Sequence, residues 1–238
     1  MSFLFIHITK CGGTSISQVL IPDNVGLCQG KNGLQWLGSG YPQPTIDMII
    51  TGYVGGTKVT PPDDLSDYPY VFSIVRNPWD RAVSWYHWHV NDTDSKNTKK
   101  SHFNWYKQFD SFKDWIMDGM RTPIHSTKTY FSMREWIQYG QEPDLVCKRI
   151  NERRRYLGGG LSEIIPDDIY RMEDLFDPEK EDWLTLMHKC GLDSKTKRKH
   201  LNKSKRKPKF KDYYSLETAQ TVYDICKDDI EFFDYKFF

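Results

Sequence analysis

The chain has 238 residues, a length that fits one domain with a full hydrophobic core. Hydrophobic residues make up 38% of it and aromatic residues 15%, which excludes an intrinsically disordered chain. The formal net charge of +1 points to no dominant acidic or basic partner. No stretch approaches the roughly 18 apolar residues that span a bilayer, and the N-terminus lacks a secretory signal pattern, so we expect a cytoplasmic protein without a membrane segment.

The basic residues are unevenly distributed along the chain. Residues 195–211 carry ten Lys and Arg side chains and no acid; with those ten set aside from the 33 basic residues, 23 bases remain against 32 acids. This basic segment is a solvated surface, a polyanion patch, or a loop over an anionic ligand. No nucleic-acid-binding motif accompanies it, so nucleic acid is not the partner we expect. The five cysteines form no C-x-x-C pair, and we expect neither a metal site nor a disulfide framework.

The first half of the chain alternates short apolar runs with loops and helical patterns. A short apolar run predicts a first strand over 3–8, and apolar residues at helical spacing then predict a helix that ends at Pro22. The Gly- and Pro-rich residues 22–45 predict a loop, and 46–54 a second strand. Residues 70–75 are β-branched and aromatic and predict a strong strand.

A helix is predicted directly after that strand. Asn77 is suited to be its N-cap and Pro78 its first residue, and its apolar face comprises Ala82, Val83, Tyr86 and Val90.

The second half continues the pattern. Residues 168–172 predict a further strand, and 183–190 and 215–232 predict helices. Strands separated by helices favour an α/β fold, a single domain over 1–238 with a central parallel sheet flanked by helices.

The loop after the first strand is suited to bind a phosphate or sulfate. Gly12 and Gly13 let backbone N–H groups approach an anion closely, and the helix start adds donors and a favourable dipole. Lys10 supplies a full charge, and Thr14 and Ser15 supply hydroxyl groups. A strand-to-helix turn with a surface lysine remains the structural alternative. A nucleoside-triphosphate loop places its lysine after the glycines, which disfavours a kinase-like phosphotransferase.

Cys11 and His7 lie in or beside this loop and carry side chains that can take part in catalysis. Cys11 lacks the arginine that a cysteine phosphatase places just beyond its anion loop, since Ser17 and Gln18 stand there, so we interpret Cys11 as a loop residue and not as a nucleophile. His7 precedes Lys10 on the first strand and is either a packed strand residue or a group that touches the site.

A second anion site is indicated where the strand over 70–75 ends. Arg76 can chelate a phosphate through two N–H groups, and Ser84, two helical turns later, can add a hydroxyl. Residues 71–86 closely resemble the 3′-phosphate-binding motif of sulfotransferases that use 3′-phosphoadenosine 5′-phosphosulfate (PAPS), in which an arginine is followed eight positions later by a serine. Residues 5–15 are similar to the 5′-phosphosulfate loop of the same family, and the nearest likeness is to its carbohydrate-type, soluble branch.

The resemblance implies a fold and a chemistry. The fold would be the P-loop nucleotide-kinase-like sulfotransferase fold, and the reaction would move the sulfuryl group of PAPS, as co-substrate and without a metal, to a hydroxyl acceptor, for which a saccharide is expected. Lys10 would be a catalytic residue, and His7, because of its position before Lys10, is the second catalytic candidate. The cofactor-binding residues would be Lys10, Cys11, Gly12, Gly13, Thr14, Ser15, Arg76, Ser84, Ser204 and Arg206, the last two from the basic segment.

The chain departs from the family pattern at three places. Thr9 and Cys11 flank the lysine, where the family usually has Pro and Thr. Relatives that sulfate sugars often have His or Glu near the second strand, and Tyr53 stands there, a poor base at its reference pKa of ~10. A PAPS- or polyanion-binding protein of the same fold without transfer activity is therefore the alternative function.

Overall fold

The computed structural model describes a subset of the chain, and all structural statements concern that subset. The described residues are 3–6, 8, 10–20, 29–30, 33–35, 53–54, 57–58, 70–91, 106–121, 132–134, 137, 166–193, 195–198, 206–207 and 209–237. His7 and Ser204, two of the predicted site residues, lie outside them.

Chain contacts divide the molecule into two compact units. The first comprises residues 1–75 and 135–202, and the second comprises 76–134 and 203–238. The assignment of one domain to residues 1–238 stays a prediction.

The described elements are seven short strands and six α-helices, with one 3₁₀ helix before the last α-helix. The strands are β1 (Leu4–Ile6), β2 (Gln29–Gly30), β3 (Gly33–Gln35), β4 (Tyr53–Val54), β5 (Thr57–Lys58), β6 (Val71–Val75) and β7 (Asp168–Arg171). The α-helices are α1 (Gly13–Leu20), α2 (Pro78–Asn91), α3 (Phe112–Met117), α4 (Met172–Phe176), α5 (Asp182–Lys189) and α6 (Leu216–Phe232), and the 3₁₀ helix is Phe210–Tyr213.

The first unit is built on a five-stranded sheet with the order β2-β3-β1-β6-β7. β1 pairs in parallel with both β3 and β6, and β6 pairs in parallel with β7, while β2 adds an antiparallel edge. The α/β class with a parallel sheet is thus confirmed. Because β1 and β6 are parallel neighbours, their carboxyl ends lie at the same edge of the sheet, the edge at which ligands bind in such folds.

Aromatic packing fixes the centre of this sheet. Phe72 of β6 is fully buried, stacks on Phe5 of β1 with ring centroids 4.8 Å apart, and stacks on Tyr70 at 5.4 Å. Burial of a phenylalanine side chain contributes about 1.5–3 kcal/mol to stability. The apolar runs that predicted strands over 3–8 and 70–75 therefore supply the core between adjacent strands.

One sequence prediction in the first unit differs from the structure, and a second is described only in part. Residues 22–45 were expected to be a loop, yet β2 and β3 lie within them. These strands are two and three residues long and Gly-rich, and pairing, such as Leu34 opposite Leu4, defines them more than any apolar pattern. Of the second strand predicted over 46–54, the described part is β4, which pairs with β5 in a separate antiparallel sheet.

In the second unit, α2 begins as the sequence predicts. The Asn77 side-chain oxygen accepts the backbone N–H groups of Trp79 at 3.1 Å and Asp80 at 3.4 Å, which is N-cap geometry, and Pro78 is the first helical residue. Three of the four predicted face residues, Ala82, Val83 and Tyr86, are buried. The prediction was wrong for Val90, which is 38% exposed because it lies in the last turn of the helix.

The C-terminal helix α6 covers this unit. Ser215 and Thr218 form a capping box at its start, and the helix packs against α2 and α3. The Trp79 indole donates to the carbonyl of Ala219 at 2.9 Å, and the Tyr214 hydroxyl donates to the carbonyl of Trp79 at 2.8 Å. The first turn of α2 is thereby held by the C-terminal segment. None of the helices in the described residues is long and apolar enough to span a membrane.

Candidate functional site

In the first unit, the turn between β1 and α1 has an unusual backbone. Lys10 adopts φ 66° and Gly12 φ 81°, and the Cys11 N–H donates to the carbonyl of Ile8 at 3.4 Å. A left-handed conformation is uncommon for a lysine, and such residues cluster at functional sites. The turn leads the chain directly into α1 at Gly13.

Gly12 is favoured by the backbone and the packing of this turn. A Cβ atom at this position would lie 3.1 Å from the Met172 sulfur and 3.2 Å from its Cγ, at the start of α4. The positive φ favours glycine, and this close contact with the Met172 side chain adds to the cost of any residue that has a Cβ atom. The sequence analysis explained Gly12 by close approach to an anion, and the structure adds a reason that is independent of any ligand.

Some of the predicted anion donors are used inside the turn. The amides of Ser15 and Ile16 both donate to the carbonyl of Gly12, at 3.0 and 3.3 Å, and the Cys11 amide is engaged with Ile8. The amides of Cys11 and Ser15 thus already have a backbone acceptor. The side chains of Cys11 and Ser15 are buried, which agrees with the interpretation of Cys11 as a loop residue.

In the second unit, Arg76 lies in a cluster with two further charged residues. Its Nε and Nη2 atoms donate to Oδ2 of Asp80 at 2.8 and 2.7 Å, and Nη1 of Arg206 donates to Oδ1 of the same carboxylate at 2.5 Å. The side chains of Arg76, Asp80 and Arg206 are only 6%, 14% and 17% exposed. We call these three residues the Asp80 cluster.

The electrostatics of the Asp80 cluster keep its carboxylate charged. Burial alone would raise the pKa of Asp80, but the charge of Arg76 and the hydrogen bond and charge of Arg206 outweigh burial and lower it. Asp80 is therefore ionised at neutral pH. Two arginines predicted as cofactor-binding residues are thus brought together by a carboxylate that is 126 residues from one of them.

Asp80 was missed by the sequence analysis although a signal for it exists. It lies four residues after Arg76, and oppositely charged residues at that spacing on a helix start are neighbours. Its link to Arg206 has no such signal.

The remaining residues predicted around Arg76 are on α2 or outside the described chain. Ser84 is buried on α2, eight positions after Arg76, and its predicted contact with a phosphate stays a prediction. His87, further along α2, packs its ring against Tyr213 at 4.7 Å between centroids. Burial, and then the charge of Arg206, lowers the pKa of His87, so its imidazole is neutral at pH 7.

A buried carboxylate on α6 organises a neighbouring segment of the same unit. Asp229 accepts three hydrogen bonds, from the Ser132 hydroxyl at 2.7 Å and from the amides of Met133 at 2.6 Å and Arg134 at 2.9 Å. α6 departs from helical geometry at Cys226, three residues before this acid. Sequence alone could not select Asp229, because Asp224 and Asp228 on the same helix carry the same side chain on exposed positions.

Comparison with known proteins assigns the chain to a family. It matches the model described as the sulfotransferase family over residues 1–236. The chain belongs to the sulfotransferase family. It is a sulfotransferase with PAPS as sulfuryl donor, which confirms the activity and the co-substrate that the resemblance implied.

Solved structures and curated proteins provide two further comparisons. This sulfotransferase is similar to the crystal structure of mouse sulfotransferase SULT7A1 complexed with PAP, with 12% identity, a TM-score of 0.33, and coverage of 96% of this chain and 84% of that chain. Comparison with curated proteins finds no match. Within the part of the chain that the structure describes, no group of three His, Cys, Asp or Glu residues could hold a metal ion.

Proposed function

We propose that this sulfotransferase transfers the sulfuryl group of PAPS to a hydroxyl group of a saccharide. Support for the acceptor comes from residues 5–15 and 71–86, which resemble the carbohydrate-type branch of the family. The observation that carries the proposal for the donor site is the convergence of Arg76 and Arg206 on Asp80. Each arginine comes from a segment that resembles a cofactor-binding motif, and the two segments are far apart in the chain.

The proposed reaction is an in-line displacement at sulfur. The acceptor oxygen forms a bond to sulfur, the bond from sulfur to the 5′-phosphate oxygen breaks with its electron pair, and the acceptor proton passes to a base. The products are a sulfate ester and adenosine 3′,5′-bisphosphate (PAP). As in phosphoryl transfer, the protein contributes chiefly by positioning the reactants and by balancing charge.

The turn before α1 is the proposed site for the phosphosulfate. Lys10 would balance the negative charge that develops on the 5′-phosphate as the sulfuryl group leaves. Backbone N–H groups of Gly12, Gly13 and Thr14, at the start of α1, would add donors where the helix dipole favours an anion.

The Asp80 cluster is the proposed site for the 3′-phosphate. Arg76 and Arg206 would bind its oxygens with charge-assisted hydrogen bonds, with Ser84 and Ser204 as hydroxyl donors. Binding of the 3′-phosphate would fix the register of the nucleotide and hence the position of its sulfur.

His7 is the proposed partner for the acceptor proton. An imidazole near its reference pKa of ~6.5 is a competent base at neutral pH, whereas a tyrosine near ~10 is not. Tyr53, the first residue of β4, is therefore the weaker candidate.

Transfer of radiolabelled sulfate from PAPS to a panel of acceptors tests the proposal. The panel contains neutral and anionic oligosaccharides, a phenol and an aliphatic alcohol, all at equal concentration. We expect label in the saccharides and a loss of transfer in the His7→Ala variant. Label confined to the phenol or the alcohol would refute a carbohydrate acceptor, and unchanged transfer by the variant would refute the role of His7.

A further inference from the structure

The carboxylate of Asp80 divides its two oxygens between two arginines. Oδ2 accepts both hydrogen bonds from Arg76, through Nε and Nη2, and Oδ1 accepts the hydrogen bond from Nη1 of Arg206. The two guanidinium groups are therefore held on either side of a single carboxylate. Each of them donates to an oxygen of its own.

This arrangement is made of buried side chains on a rigid support. All three side chains are more than four-fifths buried, and Asp80 lies in the first turn of α2, directly after the Asn77 cap. The backbone carbonyl of Trp79, next to Asp80, accepts the hydrogen bond of the Tyr214 hydroxyl. Asp80 thus offers a fixed point, from a structured helix start, to which the long side chain of Arg206 is attached.

A preformed pair of arginines has a direct consequence for anion binding. An arginine side chain has several rotatable bonds, and ordering it during binding reduces affinity, so a ligand binds better where the order already exists. A phosphate monoester has three terminal oxygens and can accept hydrogen bonds from two guanidinium groups at once.

We propose that Asp80 is a positioning residue that holds Arg76 and Arg206, one on each of its oxygens, for the 3′-phosphate, and so sets the preference of the protein for 3′-phosphorylated nucleotides. This inference rests on the proposed function, in which both arginines bind that phosphate. Asp80 itself makes no contact with the ligand in this account. It acts through the two arginines.

Calorimetric titration of two nucleotides tests the proposal. PAP carries the 3′-phosphate and adenosine 5′-phosphate lacks it, so the ratio of their affinities isolates that group. We expect Asp80→Asn to weaken PAP binding about tenfold, because the two arginines would no longer be ordered before the ligand binds. The affinity for adenosine 5′-phosphate should stay unchanged. A merely structural role would weaken both nucleotides together.

Two further variants serve as controls. Glu217→Gln removes an exposed acid from the first turn of another helix of the same unit, α6, and should change neither affinity. Asp80→Glu keeps the charge on a side chain one methylene longer, and we expect it to weaken PAP binding by only about threefold. If Asp80→Asn does not fold, as seen by circular dichroism, the Asp80→Glu variant decides: an unchanged affinity for PAP overturns the proposal.

Failure of this inference can be told from failure of the proposed function. If the unaltered protein does not prefer PAP, or if Arg76→Gln leaves PAP binding intact, the proposed 3′-phosphate site itself is wrong. If both of those behave as expected and Asp80→Asn retains the preference for PAP, Asp80 does not position the arginines. Tighter PAP binding by Asp80→Asn would show that Asp80 competes with the phosphate, which also overturns the inference.

Discussion

The sulfur of Met133 accepts the backbone N–H of Arg76 at 3.5 Å, in a part of the second unit where Met133 is fully buried. The amide of Met133 in turn donates to the Asp229 carboxylate. The backbone of Arg76 is thereby linked, through one residue, to a carboxylate on the C-terminal helix. Asp229 is 1% exposed and serves three donors at once.

Asp229→Asn should lower the free energy of unfolding by about 1–3 kcal/mol, the cost of leaving a buried donor without a full partner. The asparagine side chain has one acceptor oxygen, whereas the aspartate carboxylate offers two oxygens to the same donors. Urea denaturation followed by tryptophan fluorescence measures the change. Asp228→Asn, on the neighbouring exposed position of α6, is the matched control and should be neutral. Equal stability of the two variants would contradict the role given to Asp229.

Gly12→Ala should destabilise the protein for two separable reasons. An alanine at φ 81° costs about 1–2 kcal/mol, and its Cβ would crowd the Met172 sulfur at 3.1 Å. Comparison with Gly12→Ala in a Met172→Ala background separates these contributions, because the second change removes the contact and leaves the backbone strain. We expect partial recovery relative to Met172→Ala alone. Complete recovery would show that the positive φ carries no cost, and no loss in either background would show that the turn has a different conformation.

Lys10→Ala should lower kcat for sulfuryl transfer by about 10²–10³-fold, the usual effect of removing one group that stabilises developing charge. Affinity for the product PAP, which lacks the sulfuryl group, should fall much less. Steady-state transfer assays and PAP calorimetry measure the two quantities. Lys113→Ala removes an exposed lysine on α3 and should leave both unchanged. If kcat is unaffected in Lys10→Ala, the phosphosulfate site lies elsewhere.

His87 should make the protein less stable as pH falls below neutrality. Burial and the charge of Arg206 lower the pKa of His87 in the folded state, whereas in the unfolded chain it is near ~6.5. Below that value the unfolded chain binds the proton more readily than the folded protein, so the free energy of unfolding decreases as pH falls.

The His87→Gln variant should therefore lose part of this pH dependence. Unfolding free energies at several pH values from 7.5 to 5 would show a shallower decline than in the unaltered protein. Identical slopes for His87→Gln and the unaltered protein would show that His87 titrates alike in both states.

The local features of the fold were predictable because a few adjacent residues decide them. Asn77 and Pro78 define the start of α2 by capping and by a fixed φ, and the aromatic run over 70–75 defines β6. In contrast, β2 and β3 contain two glycines in five residues, and pairing of β3 with β1 and of β2 with β3 is what makes them strands. Since that pairing depends on distant residues, no local pattern predicts it.

The residues of the candidate site likewise include some that the sequence reveals and some that it does not. The family-like motifs around Lys10 and Arg76 are continuous in sequence and therefore recognisable. The Asp229 carboxylate is not recognisable, because Asp229 acts on residues about a hundred positions earlier and resembles its exposed neighbours. The positive φ of Lys10 likewise has no sequence signal, since lysine is not a residue that favours it.

The two arginines of the Asp80 cluster contact Asp80 across very different lengths of chain. Arg76 meets Asp80 four residues away, so this contact forms with the first turn of α2, while Arg206 must return across 126 residues. Loop closure of that length carries a larger entropic cost, and contacts of high sequence separation slow folding. We therefore expect the contact of Arg76 with Asp80 to form before that of Arg206 during folding. Removal of the chain from Arg206 onwards would therefore take away one arginine of the pair and leave Arg76 bound to Asp80.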